Sequence, residues 1–303
     1  MTGLYYIFGM LILTGVFYIL IKVAMKKTAY SLVTAIFITV VFLFRNISDK
    51  RDFVKMSNEV NKVSGDQNLL FVFLIAGILS GLAWMLLFKG LSSIEITKSV
   101  IAYYGAEIVF ENIIRIFWLK TPTNFTQGTA IVLIFAGVVL GNELTGDNVK
   151  NFAPLFGAAL CSALGQILVE KNAQVLASDD IKAAELLVGV VVVWVYVFAS
   201  GVIHSVGEMP FLGAIAGIIA GLVFVYAENI PKKISELPIE IQGNQEFIKY
   251  LKCFNVLVIA LVAVIFFREK LSKKAWIGIG ILIFGRILLN IPGEVIPINI
   301  SIG

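Results

Sequence analysis

The sequence predicts an all-α integral membrane protein, ten transmembrane helices arranged as an inverted repeat of five plus five. Three observations carry that expectation. Hydrophobic residues make up 59% of the 303 positions and charged residues 15%, whereas a soluble domain is roughly half apolar and about 25% charged. The apolar residues fall into ten segments of near-spanning length, divided by short polar breaks. Each half also closes on nearly the same phrase, Leu133-Ile134-Phe135-Ala136-Gly137-Val138-Val139-Leu140-Gly141-Asn142 and Leu282-Ile283-Phe284-Gly285-Arg286-Ile287-Leu288-Leu289-Asn290. The chain therefore reads as one membrane-spanning unit written twice.

A helix needs about 20 mostly apolar residues to cross roughly 30 Å of hydrocarbon. The segments run over 3–21, 28–45, 69–89, 96–118, 124–142, 152–171, 183–204, 210–228, 249–267 and 272–290. The first ends at Lys22, with Lys26 and Lys27 beyond it. It has no basic stretch before it and no small-residue cleavage site after it, which predicts a retained helix rather than a signal peptide. After the second segment, the interval from Arg45 to Asn68 is charged and too short for a domain, so it reads as a loop and a single transmembrane domain is expected. The third segment carries Gly77 and Gly81, small residues that let helices approach closely, as Gly157, Gly165, Gly213, Gly217 and Gly221 do later. Pro122, after Lys120, separates the fourth segment from the fifth. Pro210 opens the eighth, and Pro231 with Lys232 and Lys233 is expected to follow its end.

Ten segments in two similar halves give five each. Five is odd, so the second unit enters the membrane upside down relative to the first, with repeat one at about 1–145 and repeat two at about 150–292. Such inverted repeats are a device of secondary transporters, because two arrangements of one unit supply two oppositely open states around a central site. With both termini cytoplasmic, Lys and Arg are slightly in excess on the cytoplasmic breaks, mostly through the Arg45 to Lys62 stretch. The cluster Arg268, Lys270, Lys273 and Lys274 then lies outside and opposes that orientation. The expected location is a multi-pass integral protein of the cell membrane.

Composition also excludes classes. The net charge of +4 sits beside apolar segments, without a basic and aromatic patch for nucleic acid. Cys161 and Cys253 both lie in apolar segments and suggest packing, with no disulfide framework. The one histidine, His204, ends a segment without partners, so neither a His-based metal site nor a Ser-His-Asp hydrolase is indicated. No Gly-rich phosphate loop is present to bind ATP. No cofactor and no enzymatic activity are expected. The expected partners are a small-molecule substrate and membrane lipid, with self-association into a homodimer left open.

The turn Phe267-Arg268-Glu269-Lys270-Leu271-Ser272, followed by Trp276, Gly278 and Gly285, resembles a pattern of the drug/metabolite transporter superfamily, particularly its EamA-type ten-helix members. In the first half Ala136-Gly137 matches, but the turn reads Lys120-Thr121-Pro122-Thr123, without the glutamate. That departure weakens any role for Glu269. The stretches Cys161 to Lys171 and Gly221 to Ile230, the latter with Tyr226-Ala227-Glu228-Asn229-Ile230, are similar to the nucleotide-sugar branch. Against that branch, Ile234 to Gln245 looks like an insertion before the ninth helix. The resemblance implies a ten-helix carrier whose central site is enclosed by segments one, three, four, six, eight and nine.

Within the fourth segment, Tyr104, Glu107, Glu111 and Arg115 recur at spacings of three and four and form one polar stripe, with Tyr103 beside it. An ionisable group at a helix centre costs roughly 2.5–3.5 kcal/mol on insertion scales and faces a cavity or a partner. Glu107, the deepest, is the candidate for binding an ammonium or hydroxyl or for taking up a proton. Tyr103 and Tyr104 would supply a stacking face and hydroxyl contacts. Glu111 and Arg115, one turn apart, read as a structural ion pair. In the ninth segment, which corresponds to the fourth, Lys249, Lys252 and Asn255 can share a face; Lys252 and Asn255 are site candidates, while Lys249 reads as an interfacial lysine. Trp84 and Gln166 could edge a cavity. Lys89 could do the same but reads as a snorkelling lysine; Glu170, Glu228 and Asn229, like Gln166, could line the pathway, although their places near helix ends read as solvent-exposed, and Glu185 reads as an end residue.

The function these observations favour is secondary transport of a small polar metabolite, such as an amino acid or amine, by alternating access, with Glu107 as proton-coupling residue. The alternatives are a nucleotide-sugar or sugar-phosphate antiporter, which needs a strongly basic cavity, and a non-transporting membrane scaffold.

Overall fold

The computed structural model describes residues 2–26, 28–48, 67–172, 178–202, 211–235 and 253–291. They form ten α-helices: α1 (Thr2–Ala24), α2 (Tyr30–Ser48), α3 (Gln67–Ser93), α4 (Ile96–Trp118), α5 (Phe125–Gly141), α6 (Ala153–Asn172), α7 (Ser178–Ala199), α8 (Phe211–Ser235), α9 (Asn255–Phe267) and α10 (Lys273–Leu289). A short 3-10 turn, Val149–Phe152, leads into α6, and no strand occurs among the described residues. Stretches within α3, α6 and α8 (Leu70–Ser93, Val149–Lys171 with the turn included, and Phe211–Ile230) are long and apolar enough to cross a bilayer by length and composition. The backbone of α8 continues through Pro231, which was expected to follow its end. A proline this close to a C-terminus removes one ladder bond and leaves the turns before it intact. His204, Pro210, Glu246, Lys249, Tyr250 and Lys252 lie outside the described residues.

Packing follows the duplication. Exchanging α1–α5 for α6–α10 turns the contact of α3 with α6 into that of α8 with α1, α2 with α8 into α7 with α3, and α4 with α6 into α9 with α1, and all of these contacts are present. The glycines show the same exchange at atomic detail. On α3, a Cβ at Gly77 would meet Val188 and Glu185 of α7, and one at Gly81 would meet Gly189 and Val192. On α8, Gly217 faces Val33 and Ile36 of α2, and Gly221 faces Phe37 and Val40. Small residues admit this close approach, which dispersion then rewards, because lipid offers helices no hydrophobic incentive to associate.

The α5–α10 pair is the most intimate. A Cβ on Gly137 would stand 2.8 Å from the Leu282 amide nitrogen, and one on Gly285 would stand 3.1 Å from that of Ile134. These positions are related by one constant interval of 148 residues, which also relates the helix caps. Asn124 caps α5 by accepting from Gln127 N at 2.7 Å, and Ser272 caps α10 by accepting from Ala275 N at 3.1 Å. At the other ends, Asn142 and Asn290 each donate to the carbonyl four residues back. Lys120 and Arg268, the same interval apart, turn the chain in left-handed conformations with φ of 51° and 55°, uncommon for residues with a Cβ. Val132, Phe135, Ile277 and Phe284 point outward from this pair, an apolar exterior suited to lipid.

Candidate functional site

A cavity of about 480 Å³ enters from the face where α1 begins and α10 ends, between α2, α3, α4, α6, α7 and α8. Its volume lies in the range of small-molecule pockets. Arg45, Arg115, Glu170, Glu185 and Glu228 stand at its mouth, Ser80, Cys161, Ser162 and Gln166 along its wall, and Trp84, Leu87, Tyr103 and Phe224 toward its inner end. Beyond Trp84 and Phe224 the path is filled by aromatic rings: Phe37 lies 4.9 Å from Trp84 and 5.5 Å from Phe224, and Phe17 lies 5.4 Å from both Phe37 and Phe224. Phe37 and Phe88 are fully buried there. Among the described residues the cavity therefore opens toward the end where α1 begins and is closed by aromatic rings toward the other end.

Glu107 stands directly behind the cavity wall, at the middle of α4. Its Oε1 accepts from Ser162 Oγ at 2.5 Å, Tyr103 Oη at 3.1 Å and Gln166 Nε2 at 3.2 Å. Gln166 also donates to Ser162 Oγ at 3.2 Å. All three donors line the cavity, so the carboxylate organises the wall from within. No hydrogen bond to its Oε2 occurs among the described residues. Charge-assisted bonds of this kind are roughly twice as strong as neutral ones, which fits a buried acid that fixes its neighbours.

The mouth is laced by ion pairs across helices. Arg115 donates to Glu111 one turn earlier at 2.8 Å and reaches Glu170 of α6 at 2.5 Å, so the expected Glu111 pairing extends to a third residue. On the opposite wall Arg45 of α2 meets Glu228 of α8 at 3.3 Å. At the far face, Lys22 Nζ donates to the carbonyls of Leu91 and Ile94 at the end of α3. Glu269 accepts from the Ile96 and Thr97 amides at 2.7 and 3.1 Å and from Thr97 Oγ1 at 2.7 Å. The carboxylate whose role the sequence left weak is thus the acceptor for the orphan amides that open α4, where the helix dipole favours negative charge.

Of the sequence candidates, Tyr103, Trp84 and Gln166 line the cavity, and Tyr103 and Gln166 bond to Glu107. Tyr104 faces away from it and packs edge-on against Tyr18, with ring centroids 6.5 Å apart. Asn255 begins α9 on the far side of α4, its Oδ1 buried without a hydrogen-bond partner among the described residues. Lys252 lies outside the described residues. Two residues escaped the sequence reading. Ser162 makes the shortest bond to Glu107, and its signal was a hydroxyl one helical turn before Gln166. Arg45 is the other, lining the cavity and pairing with Glu228; its signal was a cation at the end of an apolar segment.

Residues 1–142 match the EamA-like transporter family. Among solved structures, a crystal structure described only as that of a protein aligns with a TM-score of 0.58 at 11% identity, covering 95% of this chain and 97% of its own, which is a likeness of fold. No curated protein matches the sequence. With ten α-helices among its described residues and a first half that matches the EamA-like transporter family, this chain is an all-helical, multi-pass integral membrane protein similar to that family over residues 1–142.

Proposed function

We propose that this membrane transporter is a secondary carrier that moves a small polar metabolite, such as an amino acid, an amine or a related solute, by alternating access, with Glu107 coupling the solute to a proton. One observation carries the reading: a cavity of metabolite size that, among the described residues, opens at one end, walled midway by Ser162, Gln166 and Tyr103, which share a single carboxylate. A carrier of this class needs a site reachable from one side at a time. A buried acid held by neutral donors can exchange its proton for a cationic or hydroxylic group of the solute. Tyr103, Trp84 and Gln166 are the solute contacts in this state. Tyr104 and Asn255 belong to the opposite side of α4. The cell membrane, with cytoplasmic termini, is the setting this reading adopts.

The lining favours this over the nucleotide-sugar alternative. Three carboxylates, Glu170, Glu185 and Glu228, face two guanidiniums, Arg45 and Arg115, whereas a polyanionic nucleotide needs an excess of basic groups.

Purified protein is screened by thermal shift against amino acids, amines, sugars and nucleotides, since a bound ligand raises apparent stability by mass action. Uptake of the hit is then measured in proteoliposomes with and without a proton gradient. Glu107→Gln is expected to abolish the gradient dependence and weaken binding. Unchanged uptake, pH dependence and affinity in that variant would overturn the role of Glu107.

A further inference from the structure

We propose that Thr14, Tyr18 and Asn255 form a second polar cradle, the neutral counterpart of Ser162, Gln166 and Glu107, and that it lines the solute pathway when the protein opens to the opposite face. The inference rests on the alternating-access reading above.

The interval of 148 residues relates more than the helix caps. Phe8-Gly9 in α1 and Phe156-Gly157 in α6 stand that far apart, as do Thr14 and Ser162, Tyr18 and Gln166, and Asn255 and Glu107. Ser162, Gln166 and Glu107 therefore each have a polar counterpart on α1 or α9, whereas Tyr103, the third donor to Glu107, corresponds in sequence to Leu251. Those two helices touch each other, as α4 and α6 do.

The two cradles differ in their state. In the first cradle Ser162 and Gln166 both donate to Glu107. In the second, Asn255 Oδ1 is buried with no hydrogen-bond partner among the described residues. Thr14 Oγ1 donates to the Met10 carbonyl of its own helix at 2.8 Å, and its lone pairs remain available as acceptors. Helix register gives the reason. A Cβ on Gly15 would stand 2.9 Å from Val262 Cγ2, so Thr14 is level with a residue well past Asn255, whereas Ser162 is level with Glu107. Helix α9 thus stands roughly one to two turns away from the register that α4 keeps against α6.

A cavity open to one face requires the two units of an inverted repeat to adopt different arrangements. Opening to the other face exchanges those arrangements. The exchange brings Asn255 to Thr14 and Tyr18, satisfies the orphaned amide oxygen, and exposes a cradle of hydroxyls and an amide with no carboxylate. An ammonium or hydroxyl group on the solute is held there by neutral dipoles alone, so the site binds more weakly from that face than from the side where Glu107 is engaged.

The test joins Thr14→Cys with Asn255→Cys in the full-length protein in proteoliposomes, with mild oxidation and mass spectrometry of the linked peptides. Native Cys161, which lines the present cavity, reports its opening through maleimide labelling. The Thr14→Cys/Asn255→Cys disulfide is expected to form and to lower Cys161 labelling at least about tenfold, while the Gly15→Cys/Val262→Cys disulfide, joining residues already adjacent, leaves labelling high. The proposal is overturned if the control pair links and the test pair does not, or if the test pair links with Cys161 labelling unchanged. Should the double variant fail to fold, Asn255→Asp serves instead: a carboxylate in the second cradle is expected to lower Cys161 labelling severalfold, and unchanged labelling overturns the proposal. Solute uptake by the native chain separates the two readings. Uptake without the test link leaves carriage standing and removes the second cradle, and a gating link without uptake of any screened solute does the reverse.

Discussion

The backbones of Gly278 and Gly141 meet so closely that a Cβ on Gly278 would stand 2.3 Å from the Gly141 Cα and 2.8 Å from the Gly137 carbonyl oxygen. Both obstacles are main chain and cannot rotate aside, so the crossing of α5 and α10 tolerates no side chain at this point. Gly278→Ala is expected to lower stability by about 1–3 kcal/mol through overpacking, read as a fall in the thermal unfolding midpoint in detergent. Gly280, two residues on, has open space where its Cβ would go, and Gly280→Ala should leave the midpoint unchanged or slightly raised.

Ser162 is the nearest donor to Glu107, on a different helix. Removing its hydroxyl leaves the carboxylate short of a charge-assisted bond, and such bonds contribute about 1.5–3 kcal/mol. Ser162→Ala should therefore destabilise the protein by that amount. Because Ser162 and Glu107 share one network, a double-mutant cycle with Glu107→Gln should show a coupling of at least about 0.5 kcal/mol. Additive losses would mean that the two side chains act independently.

Glu269 reaches across from the α9–α10 turn to cap α4. Glu269→Ala strips the first amides of α4 of their acceptor and should cost about 0.5–2 kcal/mol. Glu269→Gln, which keeps an acceptor oxygen but loses the charge that favours the helix N-terminus, should cost less. Thermal unfolding of the two variants side by side checks that order, and equal losses would assign the effect to charge alone.

The Arg115 network at the cavity mouth is partly exposed, at 29% for Arg115 and 47% for Glu170. Exposed pairs contribute at most about 1 kcal/mol and are screened by salt. Glu170→Gln should therefore shift stability by less than about 1 kcal/mol, with the difference from native protein shrinking as ionic strength rises. Arg115→Leu should cost more, because it leaves both Glu111 and Glu170 without their shared partner.

Much of this architecture was legible beforehand because its causes are local. Apolar run length marks each spanning helix, and the turn residues around Lys120 and Arg268 mark the joints between them. The polar stripe on α4 was legible for the same reason, since spacings of three and four place Tyr104, Glu107, Glu111 and Arg115 on one side of a helix. The ends were less so: α8 continues through Pro231, because one missing ladder bond does not end a helix near its terminus.

Which side of that stripe meets the cavity is a different kind of fact. Tyr103 and Tyr104 are chemically alike neighbours, yet only Tyr103 turns toward α6, where Ser162 and Gln166 wait, while Tyr104 turns toward Tyr18 of α1. Glu269 acquired its part by reaching a helix start far away in sequence, and Ser162 meets Glu107 only because α6 packs on α4. Composition and periodicity were enough for ten helices, their duplication and their inversion, since hydrophobic length and an odd helix count act within each unit. The open cavity, its aromatic block and the unequal register of α4 on α6 and α9 on α1 depend on how the two units press against each other, and that long-range packing leaves no periodic trace in either half of the chain.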